Sequence, residues 1–113
     1  MHEISLLENV REILEDHALS QNFSKVNKIT LEIGQLSCVE VDALRFGFDV
    51  VMKGTLAEGA ELVLTEQQGQ GICKKCHQTI PLENLYDPCL LCGNPFVDVS
   101  QGNSLKIKDL NVI

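Results

Sequence analysis

This sequence predicts an α+β fold, with two helices packed on a small mixed sheet and a cysteine-bearing segment inserted late in the chain. Three observations carry that reading. Residues 4–19 and 41–52 repeat apolar side chains at helical spacing. Residues 28–33, 60–66 and 104–113 read as extended, with short apolar patterns bounded by glycine-containing breaks. Between the last two of these stretches the composition changes, and two CxxC pairs appear, Cys73-Lys-Lys-Cys76 and Cys89-Leu-Leu-Cys92. The length of 113 residues suits one domain with a small subdomain.

Taken in order, Leu6, Leu7, Val10, Ile13, Leu14 and Ala18 mark one face of an amphipathic helix, with Glu8, Arg11, Glu12 and Glu15 between them. Gln21 to Lys25 is a polar connection. Ile29, Leu31 and Ile33 alternate with Thr30 and Glu32, which predicts a half-buried strand ended by Gly34. Ser37-Cys-Val-Glu40 has the form of a capping box, so a second helix is expected over Val41–Met52, closed by Lys53-Gly54. Cys38 reads as a small buried residue between strand and helix. Ala60–Glu66 is a second strand, with Leu62 and Leu64 inward. Gln67-Gln68-Gly69-Gln70-Gly71 and Gln101-Gly102-Asn103 read as flexible hinges. In the last strand the apolar phase slips between Leu105/Ile107 and Leu110/Val112, which asks for a bulge or kink near Lys108-Asp109. The chain thus divides into a main domain of residues 1–68 and 104–113 and an inserted subdomain of residues 69–103.

Each CxxC places two sulfurs on one turn, and two such turns facing each other offer four thiolates in a tetrahedron. Disulfides or a redox pair are the competing reading. A redox CxxC, however, occurs once and opens a helix after a strand, whereas here two copies lie in a segment that reads as too short to bury a core. Metal cross-linking explains how such a segment folds. Structural Zn²⁺ on Cys73, Cys76, Cys89 and Cys92 is therefore expected, making residues 69–103 a zinc ribbon. A rubredoxin-like iron site shares the S₄ geometry. Four thiolates leave no open metal position for hydrolytic chemistry.

The chain begins Met1-His2-Glu3. By default His2 is an ordinary exposed residue, Glu3 a first-turn acid and Glu40 a capping acid. The functional alternative sets the His2 imidazole beside the terminal amine and first amides, a donor set for square-planar Ni²⁺ or Cu²⁺. Glu3 then contributes its amide, and Glu40 adds a carboxylate or orients the imidazole. His17 reads as a surface or boundary residue. His77 follows Cys76 and is not needed as a ligand.

The net charge of −7 argues against sequence-independent nucleic-acid binding and against anionic membranes. No apolar run approaches the roughly 18 residues of a membrane span. The start lacks the basic and apolar regions of a secretory signal, and four of the five cysteines lie in CxxC pairs, so a cytoplasmic location is expected. No catalytic constellation is visible. One closed and one open metal site describe a metal carrier, not an enzyme. A zinc-ribbon interaction module and a rubredoxin-like electron carrier remain as alternatives.

Met1-His2-Glu3, LEIGQLSCVE (Leu31–Glu40), GTLAEGAEL (Gly54–Leu62), the two CxxC pairs and the closing SLKIKDLNVI together closely resemble the HypA/HybF family of nickel metallochaperones for [NiFe]-hydrogenase maturation. The resemblance runs through the whole chain. It implies a nickel-ligating histidine at His2, an adjacent glutamate acting through its backbone amide at Glu3, and an acidic position at Glu40, aspartate in some members and one methylene longer here. It implies zinc ligands at Cys73, Cys76, Cys89 and Cys92. Some members carry a histidine after each CxxC; here His77 follows the first and Gly93 the second. The resemblance further implies transient Ni(II), a partner GTPase, the hydrogenase large subunit as destination and, in some organisms, urease.

Overall fold

The computed structural model describes residues 3–113. The elements in chain order are α1 (Glu3–Gln21), β1 (Val26–Gly34), α2 (Val41–Met52), β2 (Glu61–Gln67), β3 (Gly69–Cys73), β4 (Thr79–Leu82), β5 (Val97–Gln101) and β6 (Leu105–Val112). They form two three-stranded sheets, ordered β2-β1-β6 and β4-β3-β5. The α+β class is as the sequence predicts. The chain divides into two compact units. One takes the chain up to Leu31 with Val39–Leu64 and Lys106–Ile113; the other takes Glu32–Cys38 and Thr65–Leu105.

In the first unit, α1 buries Leu7, Val10 and Leu14, while Glu8, Glu12, Glu15 and Asp16 stay exposed. This is the i, i+3, i+7 stripe of an amphipathic helix. α2 buries Leu44, Gly47, Phe48 and Met52. Gly47 sits where the helices approach: a Cβ there would lie 2.9 Å from Ile4 Cδ1 and 3.0 Å from Leu7 Cδ1. Val26, Ile29 and Leu31 of β1 are fully buried and complete this core with Ala57. On the other face Thr30 is buried too, but Lys28 is exposed and Glu32 half-buried, so β1 is the half-buried strand the sequence predicts with Thr30 as the exception. Strand direction follows from the bonds at the ends. The Val26 N–H donates to Leu56 O and the Gln35 N–H to Gln67 O, so β1 and β2 run the same way. The Ile113 N–H donates to Lys25 O and the Gly34 N–H to Ser104 O, so β6 runs opposite. The sheet is mixed. In β6 the half-buried positions are Leu105, Ile107 and Leu110, with Lys108 and Asp109 both exposed, which is the phase slip seen in the sequence.

The second unit departs from several expectations. β4-β3-β5 is an antiparallel sheet in which Gly71 faces Ile80 and Ile72 faces Asp98, with a register shift at Gln70/Gly71. The supposed hinge at 67–71 is therefore largely strand. Its glycines permit close packing: a Cβ on Gly69 would lie 2.5 Å from Leu82 O, and one on Gly71 would lie 2.6 Å from Val97 Cγ1. The second supposed hinge is pinned too. Gly102 O accepts from the Leu36 N–H at 2.7 Å, and Gln101 Nε2 donates to Gln68 O at 2.9 Å. Nor is the cysteine segment without a core. Leu36, Ile80 and Leu82 cluster with Cys73 and Cys89, all at most 3% exposed.

The turn before α2 holds two further corrections. The Ser37 hydroxyl caps no helix. It is buried and donates to Gly34 O at 2.6 Å, closing the turn that ends β1. The N-cap of α2 is Glu40, which makes no side-chain cap bond. Cys38 is exposed, not buried, because the turn holds it at φ +59° and its sulfur lies only near Leu36 O, at 3.9 Å.

Candidate metal centre

Cys73 ends β3, and the chain turns immediately through Lys74, Lys75 and Cys76. The N–H groups of Lys75 and Cys76 both donate to Cys73 Sγ at 3.4 Å. The His77 N–H closes the turn on Cys73 O at 3.0 Å, and the Cys73 N–H donates to Gln78 O. The second pair repeats the geometry. The Leu91 N–H donates to Cys89 Sγ at 3.4 Å, the Gly93 N–H to Cys89 O at 2.9 Å, and the Cys89 N–H to Asn94 O. The residue after each second cysteine has a left-handed backbone, His77 at φ +60° and Gly93 at φ +76°. Glycine adopts this freely and histidine at a cost. The difference between His77 and Gly93 thus acquires a backbone meaning the sequence alone did not give.

The four sulfurs all lie within 4.8 Å of one another, and among the described residues this is the one grouping of three or more His, Cys, Asp or Glu suited to a metal ion. Cys73 and Cys92 are 3.5 Å apart, and Cys76 and Cys89 are 3.8 Å apart. A disulfide needs about 2.05 Å. A zinc tetrahedron with Zn–S of about 2.3 Å has S···S edges of about 3.8 Å. The spacing fits four-thiolate ligation and excludes disulfides.

The thiols are unequal. Cys73 is lowered to about 6, chiefly because the Cys76 N–H donates to its sulfur; burial opposes this, while the Lys75 N–H and the Cys92 and Cys76 thiols assist. Cys76 is raised to about 11: the Gln78 N–H pulls it down, but burial and the sulfurs of Cys73, Cys89 and Cys92 outweigh it. Cys89 is lowered although burial is its largest influence, because the Cys92 and Leu91 N–H groups and two neighbouring thiols prevail. Cys92 is raised, the Asn94 N–H opposing while Cys73, burial and Cys89 favour the proton. The first cysteine of each pair therefore gives up its proton more readily than the second, because the turn aims its N–H groups at that sulfur. A divalent cation would displace the remaining protons and neutralise the cluster.

His2, predicted as a nickel ligand, lies outside the described residues. Glu3 opens α1, half-buried, and Glu40 is exposed at the start of α2. The two are brought together: Glu3 Oε1 accepts a hydrogen bond from the Glu40 N–H at 3.2 Å. No sequence pattern signals that contact, because it joins residues 37 positions apart. His17 is exposed on α1. Among the described residues no helix is long and apolar enough to cross a membrane.

The chain is similar to the hydrogenase maturation factor HypA of Azorhizobium caulinodans, with 48% identity over 113 residues and all of both chains covered. It is similar to that of Psychromonas ingrahamii, with 45% identity covering 99% of this chain and 98% of the relative. In fold it resembles the solution structure of the nickel metallochaperone HypA from Helicobacter pylori, with a TM-score of 0.82 at 23% identity, covering 100% and 98% of the two chains. The family model described as hydrogenase/urease nickel incorporation, metallochaperone, matches residues 1–112, and the chain belongs to this HypA family of nickel metallochaperones.

Proposed function

We propose that this metallochaperone takes its nickel at the start of the chain, through His2 and the Glu3 amide with Glu40 beside them, and keeps a structural zinc on Cys73, Cys76, Cys89 and Cys92. Nickel is cargo, held for transfer to a hydrogenase-maturation GTPase and the hydrogenase large subunit, with urease as a further destination. The protein works in the cytoplasm as a carrier, not an enzyme. The main domain of residues 1–68 and 104–113 carries the nickel function, and residues 69–103 carry the zinc.

The observation that supports this most is the contact of Glu3 with Glu40. It gathers at one place two of the three positions that the family pattern assigns to nickel. The chemistry of the helix start agrees. Glu3 is the first residue of α1. The first N–H groups of a helix have no carbonyl partner within it, so a metal can take such a nitrogen, once deprotonated, without breaking a helical hydrogen bond. The zinc offers no rival position for cargo, since four thiolates close its coordination.

Nickel titration by calorimetry on untagged protein tests the reading. The parent binds Ni²⁺ specifically. His2→Ala folds and keeps its zinc but loses that binding. Parent-like nickel binding by His2→Ala would move the cargo site elsewhere.

A further inference from the structure

The two edges of the β4-β3-β5 sheet are built differently. β4 carries Pro81, which has no N–H to offer a further strand. β5, Val97-Asp98-Val99-Ser100-Gln101, is bonded to β3 alone among the described residues. The Lys74 N–H donates to Phe96 O at 3.1 Å, and Ile72 stands opposite Asp98. Phe96 and Asp98 therefore turn their main-chain groups toward β3. In an antiparallel ladder Val97 and Val99 then turn theirs to the open side. An edge with such donors and acceptors is a template for another strand. Side chains widen it. Val97 and Val99 pack against the buried cluster of this unit, and beside them Leu85, Tyr86, Pro95 and Phe96 line a hollow of about 320 Å³. Tyr86 is 92% exposed and Phe96 67%, so two aromatic rings stand in solvent along this edge. Asp98 points to the other face of the strand, exposed, with Oδ1 3.5 Å from Lys74 Nζ.

We propose that the β5 edge is a docking site for an extended peptide segment of a partner protein, added as a fourth, antiparallel strand with apolar residues over Tyr86 and Phe96 and a basic residue opposite Asp98. Strand addition of this kind draws affinity from main-chain bonds and specificity from alternate side chains. Here the residues opposite Val97 and Val99 reach the aromatic hollow, and the residue between them meets Asp98. Opposite charges attract at such a cross-strand position and like charges repel, so an acidic residue there is disfavoured. The net charge of −7 draws basic segments in the same sense. A second copy of this chain fits less well. The register that joins both valines of one β5 to both of another, Val97 to Val99, sets Asp98 against Asp98.

The experiment is calorimetry of the full zinc-loaded chain with a synthetic peptide, capped at both ends, that alternates valine and lysine. The peptide should bind. N-methylating a central valine amide, which faces β5, should weaken binding about tenfold or more, because the methyl removes a donor and blocks the approach. N-methylating a central lysine amide, which faces away, should change nothing. Tyr86→Ala, at an exposed ring, should weaken binding about tenfold with zinc content unchanged. Glutamate in place of the lysines should weaken binding about fivefold, and Asp98→Lys should reverse that preference. An alternating peptide that does not bind overturns the proposal. Equal losses from the two methylations would mean that main-chain pairing at this edge is not involved, and parent-like binding by Tyr86→Ala would mean that the hollow is not; either overturns it. A preference for lysine that persists in Asp98→Lys removes the assigned charge contact. If the chain sediments as a dimer that Tyr86→Ala dissociates, the occupant is a second copy and the proposal falls.

Discussion

Replacing Leu82 by Ala probes how the cysteine unit is held together. Leu82 is 1% exposed, and its Cδ1 packs over Gly71, where a Cβ would come within 2.8 Å of it. With Leu36 and Ile80 it is one of three aliphatic side chains in the buried cluster that also contains Cys73 and Cys89. Truncating a fully buried leucine costs about 2–5 kcal/mol, and a cluster this small sits toward the lower end, at about 3 kcal/mol. Three buried aliphatics with Val97 and Val99 packed against them do not fold such a unit alone, so metal binding and folding are one process, and a loss of core stability appears as a loss of metal affinity. At about 1.4 kcal/mol per factor of ten, zinc affinity falls about a hundredfold. A competition titration against a chromophoric zinc chelator reads this directly, with Leu90→Ala, at a residue 71% exposed, as the control that stays near the parent. Parent-like zinc affinity in Leu82→Ala would mean that the unit assembles without metal, and the linkage argument would be refuted.

Other outcomes follow from the same geometry. Cys76→Ser or Cys89→Ser loses the zinc and the order of the β4-β3-β5 unit, while the far-UV helical signal of α1 and α2 persists; stoichiometric zinc in either variant by atomic absorption would argue against four-sulfur ligation. His77→Gly keeps its zinc and gains about 1 kcal/mol in chemical denaturation, because glycine relieves the left-handed backbone at that turn; loss of zinc would instead make His77 a ligand. Ser37→Ala costs about 1 kcal/mol through its hydroxyl bond to Gly34 O, whereas Glu40→Ala changes stability little, a contrast that a capping box, in which the glutamate side chain bonds back to the cap, would not produce. Nickel affinity falls from neutral to mildly acidic pH while zinc stays bound, since the imidazole and amide nitrogen must lose protons to bind and protonation competes as pH drops; pH-independent affinity in calorimetry would count against the N-terminal ligands.

What could be read in the sequence was set by how local each cause is. The second helix was legible in its bounds, Val41–Met52, because Leu44 and Phe48 recur at helical spacing ahead of Lys53-Gly54; the same spacing suggests Val51 as the next apolar position, whereas the structure leaves Val51 half-buried and buries Met52. The four-sulfur cluster was legible from spacing alone, since each CxxC closes its own turn. Strand β3 was not. Gly69 and Gly71 look like flexibility locally, and only Leu82, Leu36 and Val97 pressing on them explain why they are glycine. Strands β4 and β5, of four and five residues, are too short to show a period. Ser37 carried a valid cap pattern, but the carbonyl of Gly34 claimed its hydroxyl first. The Glu3–Glu40 contact depends on how two helices meet, which no window of sequence contains.

The central claim is that one chain carries two metals in different ways, a zinc that stays and a nickel that leaves. Metal analysis of the untagged protein before and after exposure to Ni²⁺, followed by a mild chelator, tests it most directly. The account predicts equimolar zinc at the outset, equimolar nickel added without loss of zinc, and removal of the nickel alone by the chelator. Nickel that enters only as zinc departs, or that resists the chelator as firmly as zinc does, would contradict it.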